Sequence, residues 1–243
     1  MQSSTKTFAL SEMRLLKSIK GSVRILARPM IRFLKPVPPN LLEPMSRRWG
    51  FERGTPISRW YIDRFLEANR QDIKGSVLEI KNARYTKSLG HEITHSDILD
   101  IDRSNSDATI FADLATADQV PSEKYDCFLL TETLQFVFDL ESAIAHAYRI
   151  LKPNGILLVS VPCVQPRDDE LAAFDHWRFT ILGCEKLFAK AFGSENVSVE
   201  GYGNYAASVG MLAGLAVEEL PQEALTIHDG KYTTGVFVRA KRV

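Results

Sequence analysis

Six residues that follow short apolar segments carry the most evident chemistry of this chain. They are Glu79, Asp100, Asp102, Asp113, Thr131 and Glu132. A carboxylate accepts hydrogen bonds from a diol or from an amino group, and a buried carboxylate needs such partners. Because the apolar segments are predicted strands of one sheet, we expect these side chains to line a common pocket beyond the strand ends.

A second group of candidates lies in segment 175–180, Asp-His-Trp-Arg-Phe-Thr. His176 is a candidate proton acceptor for a substrate hydroxyl, since its ordinary pKa lies near neutrality. Arg178 is suited to hold a carboxylate or phosphate, and Trp177 would contact the same substrate. The alternative is that the aromatic residues only anchor a loop and that Asp175 orients His176.

The apolar segments around these residues are typical of buried strands in a parallel sheet. Strands are predicted at 76–80, 92–102, 108–113, 125–130, 151–161, 197–202 and 234–239. Helices are predicted at 56–70, 141–151 and 180–192. In the last helix Thr180 is the expected N-cap. The residues expected to point inward there are Leu182, Leu187, Phe188 and Phe192.

Length and composition indicate one globular domain with some chain left for an extension. The chain has 243 residues, of which 45% are hydrophobic and 25% charged. No apolar run approaches the roughly 20 residues that cross a bilayer, and no secretory signal is evident. Three scattered cysteines without zinc-ligand spacing fit a reducing, cytoplasmic setting. Because no Cys or His spacing suggests a metal site, we expect none. Aromatic residues of the core domain do not interleave with a basic patch, so we expect no nucleic-acid binding.

The first fifty residues differ in charge from the rest of the chain. They contain ten Lys or Arg and two Glu, a balance of +8, and the remainder carries −8. Residues 8–20 predict a short amphipathic helix, 23–34 form a second basic-apolar stretch, and 35–40 read as a proline-rich linker. We therefore divide the chain into a basic extension, 1–50, and a domain, 51–243.

The role of the basic extension has three interpretations. It packs on the domain or frays, it contacts an anionic membrane surface through residues 1–35, or it is a mitochondrial-type leader.

Four segments resemble those of class I S-adenosylmethionine-dependent methyltransferases. They are Val77–Ile80, Ala112–Leu114, Tyr125–Leu130 and Leu151–Gly155. The resemblance covers about residues 55–240. It implies a Rossmann-like α/β fold, with a seven-stranded, mostly parallel sheet, helices on both faces and an antiparallel C-terminal edge hairpin.

Within that class the chain looks most like the small-molecule group with a type 11 domain. Residues 53–57 and 59–62 are similar to a subgroup associated with glycan or cell-surface biosynthesis.

The resemblance also implies a cofactor and roles for the acids. S-adenosylmethionine would have its ribose held by Asp102 or, as second candidate, by Asp100, and its adenine amine approached by Asp113. Glu79 would orient the loop after the first strand and approach the methionine amino group, while segment 175–180 would face the substrate. The alternatives are a solvated strand end for the two ribose candidates and a turn or cap for Asp113.

The chain departs from the family at the loop after the first strand. The family has a Gly-x-Gly-x-Gly turn there, whereas this chain has Lys81, Ala83 and Tyr85 at the corresponding positions. Side chains at these positions would narrow a pocket that depends on close backbone approach. Gly90 also predicts a short first helix. Either the cofactor binds in a modified pose, or it does not bind.

Two functions follow from these features. The first is methyl transfer from S-adenosylmethionine to a small-molecule or glycan-type acceptor. The alternative is a catalytically silent domain that binds a partner in a glycan-assembly or membrane-associated complex. A nicotinamide-dependent oxidoreductase is a weaker third interpretation, because it too would need a glycine-rich turn.

Overall fold

The computed structural model describes residues 42–243, and residues 45–243 form one compact unit. The predictions for residues 8–20, 23–34 and 35–40 lie outside the described residues. Within the compact unit the element boundaries agree with the sequence-based expectations to within a few residues for most helices and strands.

The described residues contain a single seven-stranded sheet. Its strands are β1 (Gly75–Ile80), β2 (Ile93–Asp100), β3 (Ile110–Phe111), β4 (Tyr125–Thr131), β5 (Leu151–Pro162), β6 (Val197–Tyr202) and β7 (Gly235–Lys241). They are ordered β3-β2-β1-β4-β5-β7-β6. The first five pair in parallel, and β7 is antiparallel to both β5 and β6. This confirms the Rossmann-like sheet with an antiparallel edge.

Helices pack around this sheet. They are α1 (Ile57–Ala68), α2 (Arg84–Leu89), α3 (Leu140–Ile150), α4 (Ile181–Phe192), α5 (Tyr205–Ala213) and the single turn α6 (Glu223–Thr226). Thr180 caps α4 as predicted, since its hydroxyl accepts a hydrogen bond from the Gly183 amide at 3.1 Å. None of the described helices is long and apolar enough to span a bilayer.

Alternate strand residues serve the two faces of the sheet. Leu78 joins a core that includes Phe188 of α4, whereas its neighbour Val77 joins a core that includes Phe65 of α1. Successive side chains of a strand point to opposite faces, so a strand buried on both faces is apolar throughout. This is why β1, β4 and β5 appear in the sequence as continuous apolar runs.

Two apolar residues were placed wrongly from the sequence. Ile101 was included in the second strand, but β2 ends at Asp100 and Ile101 is exposed. Leu182 was expected to point inward, but it is 59% exposed. It lies two residues before the buried Cys184, which places it on the opposite side of a helix with 3.6 residues per turn.

Residues 53–57 join the start of the compact unit to the segment after α5. The Arg53 guanidinium donates to both carboxylate oxygens of Glu219, at 2.8 and 3.0 Å. The amide and hydroxyl of Thr55 donate to Glu218 at 2.8 and 2.9 Å. Gly54 lies so close that an added Cβ would come within 2.1 Å of the Glu218 carboxylate. These residues therefore hold the start of the unit against the segment that follows α5.

Asp97 ties β2 to β4 inside the sheet. Its buried carboxylate accepts hydrogen bonds from Thr109, Lys124 and Tyr125, at 2.7, 2.6 and 2.8 Å. Burial alone would raise the pKa of Asp97, but the hydrogen bonds from Lys124, Thr109 and Tyr125 together outweigh it and lower the pKa. The folded protein therefore favours the ionised carboxylate.

We predict that Asp97→Asn lowers the free energy of unfolding by about 2 to 4 kcal/mol at neutral pH, because the amide presents donors to Lys124 and Tyr125. A carboxyl with a lowered folded pKa adds stability above its unfolded pKa of about 3.9, and loses it as the pH falls below that value. In urea unfolding, the difference in the free energy of unfolding between the wild type and Asp97→Asn should therefore become smaller in acid. Asp107→Asn, at an exposed loop position, is the matched control. Equal effects of the two substitutions would contradict the role of Asp97.

Candidate functional site

The carboxyl ends of β1, β2 and β4 meet at the centre of the sheet. β1 lies between β2 and β4, so the chain direction of the connections reverses between β1 and β4. In open α/β sheets ligands bind at such a reversal point, beyond the strand ends. The loop from β1 to α2 crosses this position.

Lys81 keeps the backbone conformation that a glycine would supply at the start of this loop. Its φ is 68°, in the left-handed region, and its amide donates to Leu99 at 2.9 Å. Its side chain is exposed. Left-handed backbone at a residue other than glycine is costly and is concentrated at functional sites.

The Tyr85 side chain points into the core. It therefore does not narrow the pocket as the sequence predicted. Its ring is buried in the core beneath α1, and its hydroxyl accepts a hydrogen bond from Arg59 at 2.9 Å. The bulk of this aromatic residue is thus absorbed by the core.

Glu79 holds the loop in place from below. Its buried carboxylate accepts hydrogen bonds from the amides of Tyr85 and Thr86, at 2.9 and 2.8 Å, and from the Thr86 hydroxyl at 2.7 Å. Burial raises the pKa of Glu79, although the hydrogen bonds from Thr86 and Tyr85 oppose the shift. The carboxylate therefore orients the first turn of α2, as the resemblance implied for the loop.

Asp100 stands at the end of β2 and is linked to the loop. Asn105 donates through its amide nitrogen to the carboxylate of Asp100 and to the carbonyl oxygen of Lys81, both at 2.7 Å. Asp100 is half-buried, and each of its oxygens has one donor, the second being the amide of Asp102 at 3.0 Å. A carboxylate accepts about four hydrogen bonds, so capacity for a diol remains.

Asp102, the first candidate for the ribose from the sequence, lies beyond the strand. It is exposed, and its carboxylate accepts from the Ser104 amide at 2.8 Å. Asp113 is also exposed and caps a short 3₁₀ turn, Leu114–Thr116, by accepting from the Ala115 amide at 2.9 Å. The structure thus places Asp100 at the strand end and Asp113 in a turn just after β3.

Glu132 begins the loop after β4 and has a left-handed backbone with φ of 46°. Its amide donates to the Ser160 carbonyl oxygen at 2.9 Å, and its carboxylate accepts from the Ser160 hydroxyl at 3.2 Å and the Gln135 amide at 3.4 Å. Burial raises the pKa of Glu132 to about 7, against the hydrogen bond from Ser160. Thr131, the last residue of β4, is half-buried beside it.

A small cavity opens next to Glu132. It has about 10 Å³, enough for roughly one water molecule. Its polar walls include Ser58, Tyr61, Gln165 and Thr234. The Tyr61 hydroxyl is buried without a hydrogen-bond partner among the described residues, and burial raises its pKa to about 12.

The side-chain oxygen of the nearby Gln135 is likewise buried and without a partner among the residues that the structure describes. Sequence reasoning had missed Tyr61, Gln135 and Ser160 as site residues. They lie far apart in the chain or carry no motif, so no local signal marks them.

The structure brings His176 and Trp177 to the loop after β4. Both backbone amides donate to the Gln135 carbonyl oxygen, at 2.9 and 3.2 Å. The Trp177 ring stacks on Phe138 at 5.8 Å between centroids, and the His176 ring meets Phe138 edge-on at 5.3 Å. The candidate catalytic and substrate-binding residues therefore share one side of the site with Glu132.

Arg178 is engaged within its own loop. It forms an ion pair with Asp175 through both oxygens and donates to the Gln165 carbonyl oxygen at 3.2 Å. The expectation that Asp175 orients His176 is therefore wrong, because the Asp175 carboxylate faces Arg178 and the Asp168 amide. The hydrogen bond from Arg178 lowers the pKa of Asp175.

Two further observations concern the surroundings. A larger groove, of about 470 Å³, lies between α1 and α2 and is lined by none of the strand-end acids. Among residues 42–243, no group of three or more His, Cys, Asp or Glu side chains is placed to hold a metal ion.

The left-handed backbone of Lys81 leads to a prediction about the stability of a glycine variant. Lys81→Gly should leave the free energy of unfolding unchanged or raise it by up to about 1 kcal/mol, because relief of the backbone strain offsets the added freedom of the unfolded chain. Lys87→Gly, at an exposed position of α2, should lower it by about 1 kcal/mol. Thermal and urea unfolding measure both. A loss at Lys81 equal to that at Lys87 would show that the turn does not favour glycine.

The comparisons with known proteins agree with this geometry. A family model described as a methyltransferase domain matches residues 49–192, more than half of the chain. None of the curated proteins compared with the chain matches it.

Among solved structures, a S-adenosylmethionine-dependent methyltransferase from Mesorhizobium loti is similar at 14% identity and a TM-score of 0.51, over 76% of this chain and 98% of that one. A second such methyltransferase, from Archaeoglobus fulgidus, is similar at 12% identity and a TM-score of 0.51, over 76% of this chain and 94% of that one. These likenesses concern the fold. Together with the family model, they confirm the resemblance read from the sequence: the chain belongs to the methyltransferase domain family, of the class I fold, whose cofactor is S-adenosylmethionine.

Proposed function

We propose that this chain transfers the methyl group of S-adenosylmethionine to a small-molecule or glycan-type acceptor. The observation that carries the proposal is the link among Asp100, Asn105 and Lys81, which sets a half-buried carboxylate beside a left-handed turn where β1 and β2 end. Such a carboxylate suits the two hydroxyls of a ribose. The residues present therefore fit the cofactor, despite the missing glycines.

The other cofactor contacts follow from the same arrangement. Asp113, exposed just after β3, is available to an adenine amine through its second oxygen. Glu79 acts through the loop that it orients, because its carboxylate is buried and already holds three donors. Thr131 and Glu132 border the site from β4. When bound, the cofactor supplies an electrophilic methyl group, and the protein supplies alignment with the acceptor.

The acceptor side is formed by the loops after β4 and β5. Glu132 is suited to take the proton that an acceptor hydroxyl or amine gives up, because its pKa lies near neutrality. The cavity that Tyr61 lines beside Glu132 has room for about one water molecule, which would give the buried Tyr61 hydroxyl a hydrogen-bond partner. Trp177 and Phe138 add an aromatic surface on which a sugar ring can pack. His176 remains a second candidate for the proton acceptor.

A second function, a silent domain that binds a partner protein, is favoured by the glycine-less loop. It would use the same fold without a cofactor. Purification with a stable partner and without bound nucleoside would support it. We further propose a cytoplasmic location, which the free thiols of Cys127, Cys163 and Cys184 favour.

Isothermal titration with S-adenosylmethionine and S-adenosylhomocysteine tests the first proposal. We expect binding by the wild-type protein and a roughly tenfold to hundredfold weaker affinity for Asp100→Ala, which loses hydrogen bonds to a charged group. Asp102→Ala, whose carboxylate faces the Ser104 amide, should bind within about threefold of wild type. Asp113→Ala tests the adenine contact in the same titration.

The titration also separates the two functions. If the protein is shown by circular dichroism to be folded and does not bind the ligand at millimolar concentration, methyl transfer is contradicted. The silent binding domain would then be the supported function. If Asp102→Ala loses affinity and Asp100→Ala does not, the proposed methyl transfer stands. The ribose contact would then belong to Asp102, the residue that the sequence favoured.

The near-neutral pKa of Glu132 predicts a pH dependence. Formation of S-adenosylhomocysteine, measured over a panel of sugar, alcohol and amine acceptors, should rise with pH through about 7, because only the ionised carboxylate accepts a proton. Glu132→Gln should lower the rate about 100-fold or more and abolish that rise. If the rate still rises with pH in Glu132→Gln but no longer does so in His176→Gln, His176 is the proton acceptor.

A further inference from the structure

Tyr61 of α1 is only 1% exposed, and its hydroxyl has no hydrogen-bond partner among the described residues. A buried hydroxyl without a partner costs free energy, so native proteins satisfy nearly all such groups through the protein or through a bound water molecule. The ring cannot turn toward solvent, because it packs against Trp60, Tyr202 and His228 with centroid distances of 5.2, 6.0 and 6.0 Å. The partner must therefore come to the hydroxyl.

The cavity that Tyr61 lines is the place where such a partner fits. Its volume of about 10 Å³ accommodates one water molecule and is too small for an organic ligand. A buried water molecule is held by roughly two to four polar groups. Besides Tyr61, the polar residues Ser58, Gln165, Thr234 and Glu132 line this cavity. The walls therefore offer enough polar groups to hold one water molecule.

Glu132 is fixed beside this cavity and has capacity for another donor. Its amide donates to the Ser160 carbonyl oxygen at 2.9 Å, which holds the left-handed backbone in place. Among the described residues its carboxylate accepts hydrogen bonds from Ser160 at 3.2 Å and Gln135 at 3.4 Å, both longer than usual. A carboxylate accepts about four hydrogen bonds. Tyr61 is not one of these donors, so the geometry leaves room for a molecule between the two groups.

We propose that a water molecule in this cavity bridges the Tyr61 hydroxyl and the Glu132 carboxylate, which makes Tyr61 a positioning residue for the proton acceptor. Burial raises the pKa of Tyr61 to about 12, so at neutral pH its hydroxyl is protonated and donates to the water molecule. The water molecule in turn donates to Glu132. This order of donors stabilises the ionised carboxylate, the form that accepts a proton. The role of Glu132 rests on the proposed function, whereas the bridge itself does not require methyl transfer.

Charged groups from two other elements also act on Glu132. Burial raises the pKa of Glu132, and besides its hydrogen bonds the charges of Arg59 in α1 and Arg178 before α4 oppose that rise. Both guanidinium groups stay charged throughout the range in which a carboxylate titrates, so neither adds a titration step. Burial lowers the pKa of His228, which packs against the Tyr61 ring, so His228 titrates on the acid side of neutrality. These groups therefore do not imitate a change in the Tyr61 bridge.

The experiment is a pH titration of Glu132 in the full-length protein, followed by carbon-13 NMR of glutamate side-chain carboxyl groups. The Glu132 signal is assigned by its absence in Glu132→Gln. In Tyr61→Phe we expect the titration midpoint to rise by about 0.5 to 1 pH unit, because the bridging water molecule loses its donor. Tyr202→Phe is the matched control, since its ring packs against Tyr61 but its hydroxyl donates to Glu200 at 2.9 Å. The control should leave the midpoint unchanged.

An unchanged Glu132 midpoint in a folded Tyr61→Phe variant would overturn the bridge. If that variant does not fold, Ser58→Ala removes another hydroxyl from the cavity wall and should raise the midpoint in the same direction; an unchanged midpoint there would likewise overturn the bridge. A raised midpoint in a protein that transfers no methyl group would support the bridge and contradict only the proposed function. Methyl transfer whose pH dependence requires Glu132 but is the same in Tyr61→Phe would contradict only the bridge.

Discussion

The buried carboxylate of Glu79 is the constraint on which the site depends. It accepts three hydrogen bonds from Tyr85 and Thr86 and so fixes where α2 begins relative to β1. A carboxylate also interacts favourably with the exposed amides at the start of a helix. Its burial raises its pKa, yet the hydrogen bonds keep it a strong acceptor. Without this anchor the first turn of α2 would lose the acceptor that holds its amides against β1.

Two strained residues, Lys81 and Glu132, flank the centre of the sheet. Each follows a neighbouring strand, β1 or β4, and each has a left-handed backbone at a residue other than glycine. Such strain persists only where surrounding contacts impose it. For Lys81 the contacts are the Leu99 and Asn105 hydrogen bonds, and for Glu132 they are those to Ser160. The loop after β1 thus has a left-handed backbone at its start without the glycines that the resemblance led us to expect.

The sequence by itself determined the sheet, most of its helices and the acids at its strand ends. These features follow from local rules: apolar runs for buried strands, a threonine cap for α4, and carboxylates where strands stop. It did not determine which aspartate stands at the end of β2, since the run Asp100-Ile101-Asp102 allows either.

Only the tertiary structure decided that choice, the inward turn of Tyr85 and the meeting of Tyr61, Gln165 and Glu132 around one cavity. These depend on contacts between residues distant in the chain, such as the pairing of β2 with β3 and the packing of α1 over the loop. Local periodicity carries no information about such contacts, because burial and hydrogen-bond partners are set by where separate elements pack.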